Sequence, residues 1–187
     1  MPSIPNWFVA IPVRAEALLQ PWATAVPPGL RLFHPADLHL TVAFLGSMRP
    51  ESADAVVAQM RAVRFAAFDL VPGQLLGLPS AAHITALSLA IAEGHSQAVA
   101  LMAAWRGVFW EVAGATPDLR PPLPHITVAR PDRRSGQVGQ AAAQQWLAAA
   151  AACPIPLRAT SLALYTWAND RQKQQFRIVA EVPLIAP

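Results

Sequence analysis

His39 and Thr41 in "HLTVAFLG", and His125 and Thr127 in "HITVAR", repeat one spacing: an imidazole two positions ahead of a hydroxyl. In an extended strand, residues i and i+2 project from the same face, about 6.5 to 7 Å apart. Each run therefore presents an imidazole and a hydroxyl side by side. Two such strands facing one cleft would gather two imidazoles and two hydroxyls around a small volume, a set suited to displacement at phosphorus. One histidine takes a proton from an attacking water and the other gives a proton to the leaving oxygen. The threonine hydroxyls donate hydrogen bonds to the non-bridging oxygens as charge builds. Histidine suits both tasks because its unperturbed pKa of about 6.5 leaves either protonation state accessible near neutrality. This chemistry needs no metal.

The spacing occurs a third time, at His83 and Thr85 in "HITALSLAI". That run lacks the proline-rich loop "RPPLP" that leads into His125 and the arginine that follows it, so it reads as structural; the alternative is that His83 lines the cleft. His34 and His95 read as surface residues, His95 near a helix start. Arg133 and Arg134 in "RPDRRSG" either guide a nucleic-acid backbone by charge or form a solvated loop. Tyr165 and Trp167 read as core, with a base platform as the other use.

"LHLTVAFLG" and "PHITVAR", whose histidines stand 86 positions apart, resemble the paired signatures of the two-histidine phosphoesterases, in particular the bacterial RNA 2',3'-cyclic phosphodiesterases once named for 2'-5' RNA ligase activity. The likeness extends over nearly the whole chain, through "WFVAIPV" near the start, "LLGL", and the closing "LALYTW" and "FRIVAEVPL". It implies an α+β fold of two pseudo-symmetric lobes, with antiparallel sheets flanking a central cleft and helices outside, as a single domain over residues 1–187. It implies opening of a 2',3'-cyclic phosphate to a 2'-phosphate, on RNA 3' ends or nucleotides, with no metal or cofactor and with reverse ligation permitted. By the resemblance His39 and His125 are the acid/base pair and Thr41 and Thr127 bind the phosphate. Arg130 falls where the family often carries an arginine near the substrate, and Phe44 either stacks on a nucleobase or packs in the core. Which histidine is acid and which base stays open.

The bulk numbers agree with a folded chain that handles anions. Of 187 residues, 54% are hydrophobic and 13% charged, which disfavours disorder. The net charge of +3 rests on thirteen arginines and Lys173 against eleven acids. Guanidinium forks match phosphate oxygens, although a GC-rich genome gives the same bias. Cys153 is alone, which excludes a disulfide framework, suits a reducing compartment, and leaves the thiol a buried bystander. No basic leader opens "MPSIPNWFVAIPV" and no uninterrupted apolar run reaches eighteen residues, so a cytoplasmic monomer away from the membrane is expected. HExxH, CxxC, GxSxG and glycine-rich phosphate loops are missing, which disfavours metal hydrolase, serine hydrolase and kinase readings. A non-catalytic binder of nucleotides or RNA ends, using the same cleft, is the competing reading.

The elements that must position these residues follow from periodicity. "WFVAIPV" reads as a buried strand, then "RAEALLQPWATAV" as a helix that Pro21 restarts or kinks, and "LHLTVAFLG" as a strand. A helix follows with Pro50 and Glu51 in its first turn and Ser47 as a less certain cap. "FDLVPGQLLGL" and "HITALSLAI" read as strands, and residues 95–113 as a helix ending at Gly114. After the "HITVAR" strand come an Ala-rich helix and two strands, "LRATSLALYTW" and "FRIVAEVPL". The order hints at an internal duplication, with one HxT strand in each copy.

Overall fold

Runs rich in β-branched and aromatic residues form the strands, and the Ala-rich runs form the helices. The computed structural model describes residues 4–149 and 154–186. Its first part contains β1 (Asn6–Pro12), α1 (Gln20–Ala23), β2 (Leu30–Leu32), β3 (His39–Ser47) and α2 (Ser52–Ala62). A long hairpin, β4 (Phe68–Ser80) and β5 (His83–Glu93), leads to α3 (His95–Ala113) and β6 (His125–Pro131). The chain continues with α4 (Gly136–Ala149), β7 (Leu157–Ala159), β8 (Ser161–Trp167) and β9 (Phe176–Pro183). Cys153 lies outside the described residues.

The strands form one curled antiparallel sheet in the order β7-β4-β5-β6-β3-β1-β8-β9, with β2 added on β6. Two blocks of four, β9-β8-β1-β3 and β6-β5-β4-β7, meet where β3 and β6 share one residue pair, Leu40 opposite Ile126, and again at the bridge between Ala66 and Ile185, just outside β4 and β9. This is the expected α+β architecture of two related halves. The duplication is exchanged in space, however. The hairpin β4–β5 follows the first HxT strand in sequence but pairs with the second, and β8–β9 follows the second but reaches the first through β1. Each half is therefore built from both copies.

Local differences from the sequence reading have simple causes. Ser47 ends β3 and α2 starts only at Ser52, because Pro50 and Glu51 sit in a turn that precedes the helix. Pro21 restarts a helix rather than kinking one: a 3-10 turn at Glu16–Leu19 gives way to α1 with Pro21 in its first turn. "LRATSLALYTW" divides at Thr160, since β7 pairs with β4 while β8 pairs with β1. Strand β2 is three residues long, too short to leave a periodic trace.

All four helices connect to one apolar layer. α3 lies against β3, α2 against α3, and α4 against β4, β5 and β6. Leu40, Val42, Ile126 and Val128 are sealed in this layer. Gly29 (φ 85°) precedes β2, and a Cβ there would come within 3.0 Å of the Gly139 backbone in α4, so the close approach itself requires glycine. That contact seats β2 beside β6. Among the described residues no helix is long and apolar enough to cross a membrane.

Ile126 is fully buried where β6 meets β3. Ile126→Ala is expected to lower unfolding stability by about 2–5 kcal/mol, measured by urea titration. An unchanged midpoint would contradict its place in the core.

Candidate active site

Leu40 and Ile126 point into the helix-covered core, so their sequence neighbours must point the other way. His39, Thr41, His125 and Thr127 thus share the open face of the sheet. Antiparallel register through Leu40–Ile126 sets His39 beside Thr127 and Thr41 beside His125, leaving the histidines on a diagonal. Diagonal cross-strand neighbours lie roughly 7–8 Å apart, within reach of long side chains. A phosphoryl group with a water on one side and a leaving oxygen on the other fits such a span.

Strict alternation would have sent Phe44 and Arg130 to the opposite face, because each stands five positions after its histidine. A bulge in each strand prevents this. On β3, Val9 pairs with Ala43 but Ala10 with Thr41, so Val42 is the extra residue. On β6, Leu87 pairs with Ala129 but Ser88 with Thr127, so Val128 is the extra residue. Each bulge keeps its valine in the core and returns the residue two positions on to the open face. Phe44 is therefore not core: it is 53% exposed, on the face it shares with His39. Arg130 is exposed on the face of Thr127, its guanidinium 5.6 Å from the Phe33 ring. The Trp110 indole N–H donates to the Phe44 carbonyl (3.1 Å), and the Phe33 amide donates to the Val128 carbonyl (2.8 Å), which anchors both irregular segments.

The two imidazoles are held alike. His39 Nδ1 lies 2.6 Å from the Asp37 carbonyl and His125 Nδ1 lies 2.7 Å from the Leu123 carbonyl. A carbonyl only accepts, so each Nδ1 carries hydrogen and each neutral ring leaves its Nε2 lone pair for the cleft. Their surroundings differ. His39 rests among Phe8 (4.7 Å between centroids), Tyr165 (5.4 Å) and Phe176 (5.5 Å, edge-on), and Phe8 itself stacks on Tyr165. Burial in this box lowers the His39 pKa to about 4, with smaller contributions from the charges of Arg130 and His125, against the carbonyl bond that raises it. Burial also lowers the His125 pKa, and Arg130 adds to the effect. His39 feels both Arg130 and His125, as groups sharing one volume must.

Thr127 is buried and its hydroxyl meets Ser88 Oγ at 3.0 Å. With Ser88 as donor, the Thr127 hydrogen is free for an oxyanion. Among the described residues the half-buried Thr41 hydroxyl has no hydrogen-bond partner, so it is free to donate as well. His83 and Thr85 are exposed at the tip of the β4–β5 hairpin, Thr85 donating to the Leu78 carbonyl. His125 pairs with Ala90, seven residues along β5, which puts His83 roughly 20 Å away from it. The third HxT is outside the cluster. His34 and His95 are exposed, and Tyr165 is core. Trp167 is half-buried with Arg171 4.1 Å above its ring, so it is less enclosed than expected. Among the described residues no three His, Cys, Asp or Glu side chains gather at metal-binding distance.

Comparison with known proteins adds a family match over part of the chain and a fold over all of it. Residues 9–76 match the LigT-like phosphoesterase family, a stretch that contains His39, Thr41 and Phe44. No curated protein matches the chain. Escherichia coli LigT complexed with 3'-AMP superposes with a TM-score of 0.72 at 21% identity, over 96% of this chain and 97% of that one. LigT complexed with NADP+ gives 0.70 at 24% identity, over 97% and 99%. The protein TT0787 of Thermus thermophilus gives 0.68 at 20% identity, over 96% and 97%. The resemblance carried by two short motifs thus extends to the fold of the whole chain.

Sequence reasoning missed Ser88 and Asp37, which carry no motif of their own. Asp37 is buried, and its carboxylate accepts the amides of Gln175 (2.8 and 3.1 Å) and Phe176 (2.9 Å). Its own carbonyl orients His39. One residue therefore ties the β8–β9 turn, and the Phe176 ring, to the first HxT strand. Burial raises the Asp37 pKa, and the two amides oppose the shift. Asp37→Ala leaves both amides unpaired and is expected to cost about 3 kcal/mol or more of stability. Hydrogen exchange at Gln175 and Phe176 is expected to quicken in the variant. Unchanged protection at both amides would refute the clamp.

Proposed function

We propose that the chain is a phosphoesterase that hydrolyses 2',3'-cyclic phosphates, on RNA 3' ends or nucleotides, to 2'-phosphates without metal or cofactor. The observation that carries this reading is the shared face of His39, Thr41, His125 and Thr127, with both Nε2 atoms left for the cleft. Its LigT-like family match supports the reading, as does the likeness to a LigT bound to 3'-AMP, a ribonucleotide with its phosphate on the sugar.

The threonine hydroxyls and Arg130 hold the non-bridging oxygens, and Phe44 offers an exposed ring for the base. One neutral imidazole takes the proton of water as the water oxygen bonds to phosphorus. The bond from phosphorus to the 3' oxygen breaks, and the protonated imidazole supplies the hydrogen of the new 3'-hydroxyl. Exchange with solvent restores the starting protonation. With a 5'-hydroxyl in place of water, the same step yields a 2'-5' linkage. The more deeply packed His39 is the harder ring to protonate, so the singly protonated cleft carries its proton on His125. That makes His39 the base and His125 the acid.

Either His39→Ala or His125→Ala is expected to lower kcat by at least about 100-fold on an RNA ending in a 2',3'-cyclic phosphate, with the wild type unaffected by excess chelator. A substrate with sulfur at the 3' bridging position has a leaving group that needs no proton, so it restores His125→Ala and not His39→Ala. Equal rescue of the two would reverse or remove the assignment. Tight binding of the RNA with no turnover would favour the binder instead.

Both pKa values lie below the ordinary 6.5 or so, which favours neutral rings and makes the proton donor scarce in the free protein at pH 7. Lowering the pH restores the donor until the second ring is protonated too. The profile of kcat/KM is therefore expected to peak below about pH 6.5. Bound phosphate raises both values, so the kcat profile peaks at higher pH than that of kcat/KM. Coincident profiles would contradict this account.

A further inference from the structure

Three arginines that the chemistry does not use surround the cleft. Arg31 is the cross-strand partner of Arg130, and Arg133 sits in the turn just beyond β6. Arg171 comes from the other block, in the β8–β9 turn, and lies over Trp167. Trp167 is two residues from Tyr165 and pairs with Phe176, whose ring touches His39, so this stack stands on the same open face. Burial lowers the pKa of both Arg130 and Arg171, and the charges of Arg31 and Arg133 add to the effect at each, in keeping with four cations that share one field.

No surface carboxylate forms a salt bridge with these cations among the described residues. Among the described residues Arg14, Arg120 and Arg158 each have an ion-pair partner, whereas Arg31, Arg130, Arg133 and Arg171 have none. The nearby acids are engaged elsewhere: Asp37 with two amides, Asp132 with the Arg134 amide, and Asp170 with Lys173 and the Gln172 amide. A set of like charges held together with no salt bridge of its own raises the local concentration of anions and is relieved by one that binds.

We propose that Arg31, Arg133 and Arg171 form a second anionic subsite, which holds the internal phosphodiester of an oligoribonucleotide whose cyclic end lies between His39 and His125. This rests on the phosphoesterase reading and narrows it: the preferred substrate is an RNA terminus, not a free mononucleotide. Arg130 serves the reacting phosphate and the three outer guanidiniums serve the next one. Trp167, held flat under Arg171, gives the adjoining nucleoside an aromatic edge to lie against.

The test compares a 2',3'-cyclic mononucleotide with a short oligoribonucleotide bearing the same end, at low and high salt, for wild type and Arg31→Ala/Arg171→Ala. Wild type is expected to prefer the oligonucleotide, most at low salt. The double variant is expected to lose roughly tenfold or more in kcat/KM on the oligonucleotide and to show a flatter salt dependence, by about 1.4 in log–log slope for two single-strand contacts. Its turnover of the mononucleotide stays within about twofold of wild type, the margin left by loss of a distant charge. Proportional losses on both substrates, or none on either, would overturn the subsite.

A binding arm separates the two readings. Fluorescence anisotropy follows an oligoribonucleotide with a 3'-phosphate. Arginine-dependent binding without any cyclic-phosphate turnover would sink the hydrolase reading and keep the subsite. Mononucleotide turnover with oligonucleotide binding indifferent to Arg31 and Arg171 would do the reverse. Inorganic tripolyphosphate competing as well as the oligonucleotide would show that the rim reads free phosphate rather than an RNA chain, and would overturn the substrate class.

Discussion

The pairing of Leu40 with Ile126 is the contact on which the rest of the molecule turns. It joins the two four-stranded blocks at β3 and β6, the middle of the sheet, and both side chains are driven into the core by the apolar area they remove from water. Because side chains alternate along a strand, burying these two residues forces His39, Thr41, His125 and Thr127 onto the opposite face. A slip of one residue would bury the imidazoles and expose the aliphatic groups, so hydrophobic burial also enforces the catalytic register. The energy that selects the fold and the geometry that permits chemistry are in this sense one constraint.

Alternation alone, however, builds only half a site. The four central groups can move protons and hold oxygens, but a substrate also needs charge compensation and a surface for its base. The bulges at Val42 and Val128 supply these by re-aiming the fifth residue after each histidine. The two positions are equivalent in the repeat yet carry Phe44 in one half and Arg130 in the other. Symmetry of backbone is thus combined with asymmetry of side chain. The same holds for the imidazoles, identical in their Nδ1 contacts but different in packing, since only His39 sits in the box of Phe8, Tyr165 and Phe176. Two rings with unlike proton affinities are what a donor and an acceptor require.

Much of this was legible in the sequence because period-two patterning survives burial on one side. "HLTVAF" and "HITVAR" announced strands and the face that each histidine shares with its threonine, and Gly114 marked the end of α3. What stayed hidden depends on pairing. The exchange of hairpins between the halves, the two bulges, and the hydrogen bond from Ser88 to Thr127 exist only once partner strands are known. Phe44 shows the limit well: its residue type fits core or cleft, and only the extra residue at Val42 decides. Asp37 shows another, since its acceptors' partners lie 138 and 139 positions away.

The rigidity of the rings comes from the segments ahead of each HxT strand rather than from the strands themselves. Asp37 closes a 3-10 turn begun by Pro35, and Leu123 lies between Pro122 and Pro124. Proline restricts the backbone torsions of itself and of the preceding residue, so the two carbonyls that fix the Nδ1 hydrogens have few other places to be. The ordering cost falls on folding and not on each encounter with substrate. These stiff leaders organise the two histidines. Burial suppresses protonation of both rings and the Arg130 charge adds to it, whereas an anion between the rings would oppose that shift.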